Sequence, residues 1–492
     1  MLGERMFRQV LTVCLLVYIF SAKGYIQVSD TSFSLQTAQA IVTRGRLDIP
    51  YVEPYTLRGP DGRSYSKYGL GLALYYVPWV AASDALSSFT RLPAHELTGF
   101  LVSFANVPFA MLTLVLFAKL LKLFRVAGTC AWLLPLGLGL GTLMWRYAGY
   151  DFSEEMQMCL LILAVYGVVR GTPKAIVTGG VGFAGLFLVK LVYAAFFPLF
   201  LLYLITRPGE LRHRIRNAGL FTFPFTLAGC CVAWLNLVRF GNALESGYGS
   251  EARQFFPFQV WHTVPQLLGS LDKGLFIFCP ILILGVFGWR DFASRHRPEA
   301  VLCGGLLVGN LILAGAWHSW EGGWSWGPRL LVPAIPLWLL PAAFWFTGRH
   351  SRARLWICAL LTLTSILVQI PGVLADQEVH YIKQDMLTAQ EQRSAPPDSV
   401  AAYILLRHKL TVQNEVYRVS EFHIPGDRGL DLTRQSKSFI GLNVWTEHLA
   451  TQLNKPALRW FPALVLFPIG YLAMNVGLTL RLRVKRRRIG YC

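Results

Sequence analysis

The chain has 492 residues, 54% of them hydrophobic and only 15% charged, with a formal net charge of +19. Soluble domains carry about 25% charged residues, so the composition excludes a disordered chain, a coiled coil and an ordinary cytosolic enzyme, and leaves a polytopic membrane protein. The Lys and Arg residues fall in short clusters between apolar runs, which is the positive-inside pattern of membrane topology and excludes a nucleic-acid partner.

Taken in chain order, residues 1–24 read as a retained signal anchor with a cytoplasmic start. Apolar runs of spanning length then fall near 98–118, 127–145, 156–170, 174–189, 191–206, 217–236, 274–289, 298–316, 328–347, 354–372 and 458–479. With about 12 spans and both termini inside, every basic cluster falls on the cytoplasmic side. The loops 24–96, 146–155, 237–273, 317–327 and 373–457 fall outside. The apolar stretch 68–86 breaks this parity if it crosses, so it is expected as a re-entrant or juxtamembrane helix on the outer face. The predicted organisation is therefore all-α and polytopic. It comprises a transmembrane domain over 1–372 with its first outer loop at 24–96, a small extracytoplasmic subdomain at 373–457, and a last span with a basic tail at 458–492. The 9 cysteines form no CxxC or Cys/His metal spacing and read as small buried hydrophobes.

Six stretches carry candidate chemistry. Asp30, in SDTSFSLQTAQAIVTRG, either supports a helix start or acts as a general base towards a hydroxyl. Lys67, between Tyr65 and Tyr68, either snorkels or holds a phosphate at the headgroup level. Asp151, Glu154 and Glu155 sit at an outer membrane edge, as a salt-bridge cluster with Arg146 or as substrate-side carboxylates. Lys190 is a lone charge in an apolar run and a functional candidate on that ground. Arg239 and Tyr248 belong to a glycine-punctuated outer loop. Trp320, Glu321, Trp324 and Arg329 lie in WHSWEGGWSWGPRLLVPAIP, where indoles suit an aromatic belt or a sugar face and the guanidinium suits a phosphate or carboxylate.

On these residues the chain resembles the GT-C fold glycosyltransferases of prokaryotic membranes, in the superfamily of lipid A aminoarabinose transferases and protein O-mannosyltransferases. The landmarks are Asp30 with its following amphipathic segment, YSKYGLG…VP, FSEE and GGWSWGPRLLVPAIP, in family order over roughly residues 1–345. Asp30 is followed by Thr31 where the mannosyltransferases carry an Asp-Glu pair, and SKYGLG replaces the H/K-P-P-L element of the aminoarabinose branch. The resemblance implies a sugar donor on a polyprenyl phosphate and an inverting transfer to a glycan, lipid or protein hydroxyl. It also implies an active site on the extracytoplasmic side of the plasma (inner) membrane. It casts Asp30 as base, Lys67, Lys190 and Arg329 with Tyr65 and Tyr68 around the donor phosphate, and the remaining candidates around the substrates. No cofactor is read from the sequence, though Glu154 is a candidate to hold a divalent cation. A flippase of a lipid-linked saccharide and a non-catalytic scaffold are the rival readings.

Overall fold

The computed structural model describes residues 2–26, 29–90, 92–249, 251, 254–323, 325–346, 352–374 and 444–446. The expected last span and tail, Trp324, and all of the expected 373–457 subdomain except 373–374 and 444–446 lie outside them.

The chain is mostly helical. The first helix, α1, is Leu2–Ser21, and α2 is Ser29–Arg44. Next come α3 (Leu70–Thr90), α4 (Ala94–Val102), α5 (Val107–Leu123), α6 (Cys130–Leu140) and α7 (Leu143–Ala148). A long antiparallel pair follows, α8 (Glu154–Arg170) and α9 (Pro173–Val189). After a 3₁₀ turn at Leu191–Phe196 come α10 (Phe197–Thr206), α11 (Leu211–Phe240), α12 (Val260–Gly269), α13 (Leu275–Phe278), α14 (Ile283–Arg295) and α15 (Arg297–Ala316). The described bundle ends with a 3₁₀ turn at Arg329–Ala334, α16 (Ile335–Leu339), α17 (Ala342–Trp345) and α18 (Arg352–Leu374).

Among the described residues, four stretches are long and apolar enough to cross a membrane: Ala94–Leu123, Leu211–Phe240, Arg297–Ala316 and Ala353–Leu374. Several other expected spans are helical but broken, and the breaks have local causes. Proline removes a backbone donor and clashes with the preceding turn. Pro280 accordingly interrupts the run at 274–289, while Pro333, Pro336 and Pro341 divide 328–347 into three short pieces.

The expectation of an all-α chain needs one correction. The loop after α2 holds an antiparallel hairpin, β1 (Thr56–Arg58) and β2 (Ser64–Ser66), with Leu57 opposite Tyr65. The intervening Gly-Pro-Asp-Gly supplies the turn, and the Tyr65 hydroxyl donates to Asp61 at 2.7 Å. The hairpin packs on α2 through Phe33, whose ring stacks on Tyr55 at 4.9 Å.

Helix packing in an apolar medium depends on close backbone approach at small residues. A Cβ at Gly167 of α8 would stand 2.6 Å from the Gly179 Cα of α9. A Cβ at Gly71 of α3 would meet the Val189 backbone nitrogen at 2.8 Å. The start of α3 is therefore pressed against the end of α9, one residue before Lys190.

Candidate functional site

Asp30 stands in the first turn of α2. Its carboxylate is turned away from that helix: one oxygen accepts the Tyr68 hydroxyl at 2.6 Å and the other faces an Arg329 nitrogen at 3.6 Å. The hairpin delivers Tyr68. Lys67 N donates to Tyr55 O at 3.1 Å and continues the ladder beyond β2, so Lys67 and Tyr68 leave it in a fixed direction. Burial, and secondarily the Asp30 charge, push the Tyr68 phenol upward, so it remains a donor to the carboxylate.

Arg329 opens the 3₁₀ turn after Gly327, whose φ is +66°. Its guanidinium lies 4.3 Å above the Phe152 ring and reaches Glu154 at 3.6 Å as well as Asp30. The loop carrying Phe152 is itself held, because Asn106 Nδ2 donates to Tyr150 O and Phe152 O at 2.6 Å each. From the other side the Thr31 hydroxyl, next to Asp30, donates to the Asp151 carbonyl.

These groups face a cavity of about 620 Å³. Asp30, Lys67, Tyr68, Lys190, Arg239, Tyr248 and Arg329 line it from five separate parts of the chain. Leu188, Leu191, Val232, Leu235, Leu313 and Leu330 form its apolar wall. The Lys67 ammonium is paired with Glu251 at 2.7 and 2.8 Å and lies 5.2–5.6 Å from the rings of Tyr55, Tyr68 and Tyr248. Arg239, in the last turn of α11, donates to Ser66 O at 3.3 Å and to Asn236 Oδ1 at 2.8 Å. Lys190 is the extended residue between α9 and the following 3₁₀ turn. Burial pushes its ammonium downward, and the Glu154 charge pulls the other way. Among the described residues, neither Lys190 nor Arg239 has a carboxylate within ion-pair distance, whereas Lys67 and Arg329 do.

Other sequence candidates stand elsewhere. Tyr65 is buried in the hairpin on Asp61 and does not line the cavity. Asp151 is buried behind it, with its backbone carbonyl on Thr31. Glu155 points into the bundle, fully buried, and neither carboxylate oxygen has a hydrogen-bond partner among the described residues. Trp320 packs against the main core and Glu321 is outside the cavity wall. Among the described residues no group of three or more His, Cys, Asp or Glu side chains comes together in a metal-binding set. One contributor escaped the sequence reading. Glu251 pairs with Lys67 across 184 residues, and no local signal announces it. Lys273 donates to the Gly323 and Ser325 carbonyls at 3.1 and 2.7 Å, and so straps down the loop that leads to Arg329.

No protein-family model matches the chain, and no curated protein matches it. Solved structures do. The chain is similar to ArnT from Cupriavidus metallidurans bound to undecaprenyl phosphate, with a TM-score of 0.51 and 15% identity over 91% of this chain and 88% of that one. Against the same protein in the apo state the TM-score is 0.50 at 15% identity, covering 87% of this chain and 83% of that one. At this level of identity the likeness concerns the fold, which is the GT-C fold.

Proposed function

We propose that the chain is a polytopic inner-membrane glycosyltransferase of about 12 spans, moving a sugar from a polyprenyl-phosphate donor to an acceptor hydroxyl on the outer face, with inversion. One observation carries the reading: a half-exposed carboxylate, Asp30, stands in a cavity that joins four cationic side chains to an apolar wall. A lipid-linked phosphate needs both halves of such a cavity. The GT-C fold and the undecaprenyl phosphate bound by the similar ArnT support the same donor class.

In the reaction Asp30 takes the proton of the acceptor hydroxyl. The acceptor oxygen bonds to the anomeric carbon from the face opposite the phosphate. The carbon–oxygen bond to the phosphate breaks, and its electron pair leaves with the lipid phosphate. Cations fixed where that charge develops lower the barrier. Lys190 and Arg239 are the best placed, since among the described residues no carboxylate lies within ion-pair distance of either, and Lys67 joins them when an anion displaces Glu251. Arg329 is committed to Asp30 and Glu154, so it orients the base more than it holds phosphate. A divalent cation beside Glu154 would have to compete with this guanidinium.

The test is purified protein, a polyprenyl-phosphate sugar and a hydroxyl acceptor, with the glycosylated product measured by mass spectrometry. Wild type should form product, and Asp30→Asn should lose about 10²–10⁴-fold in rate. Absence of product, with the donor instead crossing the bilayer of a vesicle unchanged, would replace the transferase by the flippase reading. Wild-type turnover by the Asn variant would move the base elsewhere.

A further inference from the structure

Residues 444–446 are separated in sequence from α1 by more than four hundred positions, yet they are built into its end. Val444 and Thr446 are buried. The Trp445 backbone N–H donates to Ala22 O at 2.9 Å, and its indole Nε1–H donates to Ile19 O at 2.9 Å. The last carbonyls of a helix have no partner inside it, so one distant tryptophan satisfies two acceptors at this terminus. Its ring meets Phe100 and Phe104 edge-on at 5.8 and 6.2 Å.

The contact is shaped for this one side chain. Gly24 has a φ of +81°, and a Cβ there would fall 2.7 Å from the Trp445 Cβ. Only glycine takes that backbone conformation at no steric cost and leaves that space. Gly24 N also donates to Ser103 Oγ at 3.1 Å, and the buried Lys23 ammonium donates to the Val373 carbonyl. The connector from α1 to α2 is thus gripped on both sides of position 23, and Asp30 follows it in the first turn of α2.

We propose that Trp445 is a positioning residue: it caps α1 and fixes the connector that sets where Asp30 stands. Trp445 is thereby coupled to the base through residues 22–26, the described part of the connector that precedes α2. The kinetic part of this inference rests on the transfer reaction proposed above, and the structural part does not.

The experiment therefore has two arms, both on the full-length protein in detergent or nanodiscs, comparing wild type, Trp445→Ala and Trp445→Phe. The first arm is hydrogen exchange at the backbone amides of the connector and the first turns of α2. Trp445→Ala should raise exchange there while α8 and α9 stay protected, and Trp445→Phe, which keeps the ring and loses the indole donor, should fall between. The second arm is transfer kinetics, where kcat should drop about ten- to hundred-fold in Trp445→Ala with donor KM nearly unchanged, because a misplaced base costs rate rather than binding. Unaltered exchange in the connector would overturn the inference, and so would increased exchange spread over the whole bundle. Increased local exchange with unchanged kcat would overturn the positioning role. If wild type transfers nothing, the proposed reaction falls, and the exchange arm still decides whether the clamp exists.

Discussion

Arg329 stands between two carboxylates, with Asp30 and Glu154 each at 3.6 Å, and this decides what a conservative change there should do. A lysine keeps the charge but is a single point, so it cannot face both acids through a planar fork. Arg329→Lys is expected to lower kcat by about ten-fold or more, because one of the two ion pairs is lost and the base is no longer held in place. Donor KM should move little if the guanidinium orients the base. A rise in donor KM at unchanged kcat would instead return Arg329 to the phosphate, as the sequence alone suggested. Lys273 makes a second prediction at this scale. Burial pushes its ammonium down from 10.5 to about 8. Between these values the folded chain holds fewer protons than the unfolded one, so the contribution of Lys273 to stability grows as pH rises through that window and is smallest below about pH 8. Lys273→Met has no proton to lose there. The melting temperature of wild type relative to this variant should therefore climb between about pH 8 and 10.5. A difference that stays flat with pH would show that Lys273 remains charged in the fold throughout.

Among the elements, the junction of α3 with α9 matters most for the site. Gly71 allows the two backbones to touch, and Lys190 follows the contact immediately. Gly71→Val adds a side chain where even a Cβ meets Val189 at 2.8 Å, and overpacking of this kind costs about 1–3 kcal/mol. The expected result is a lowered melting temperature together with weaker use of the donor, because Lys190 is displaced from the cavity wall. Loss of stability with unchanged donor KM would separate Lys190 from donor binding. The hairpin shows the same dependence of site on scaffold. Its ladder, and the stacking of Phe33 on Tyr55, bring Tyr68 to Asp30.

For the whole molecule, sidedness of charge predicts how the bundle sits in the membrane. The Leu211–Phe240 helix has only 11% of its apolar window buried within the protein. Its large exposed residues, Phe223 and Trp234, therefore suit lipid. On the proposed topology Lys122 is expected inside and Arg46 outside. Both side chains are exposed. A cysteine at Arg46 should react with an impermeant maleimide in intact cells above the background of wild type, whereas one at Lys122 should react only after the membrane is opened. The reverse pattern would invert the topology and put the cavity on the cytoplasmic side.

Much of the architecture was legible along the chain, because the information is local. Apolar run length marks most of the helices from α4 to α18, but not α12, which falls in the expected outer loop 237–273, and the amphipathic spacing after Ser29 marks α2. The order of Asp30, YSKYGLG and GPRLLVP suggests the GT-C fold that the structural likeness shows. Candidate cations could be named one by one, since a charge beside an apolar run is conspicuous wherever it occurs. What the chain order could not express is partnership. Nothing near Lys67 announces Glu251, nothing near Ile19 announces Trp445, and nothing distinguishes Glu154, which faces Arg329, from Glu155, which turns into the bundle. Adjacent residues on a helix point about 100° apart, so two neighbouring acids that look alike in sequence meet different environments. Tertiary packing alone selected which of them, and which of the scattered cations, share a cavity with Asp30.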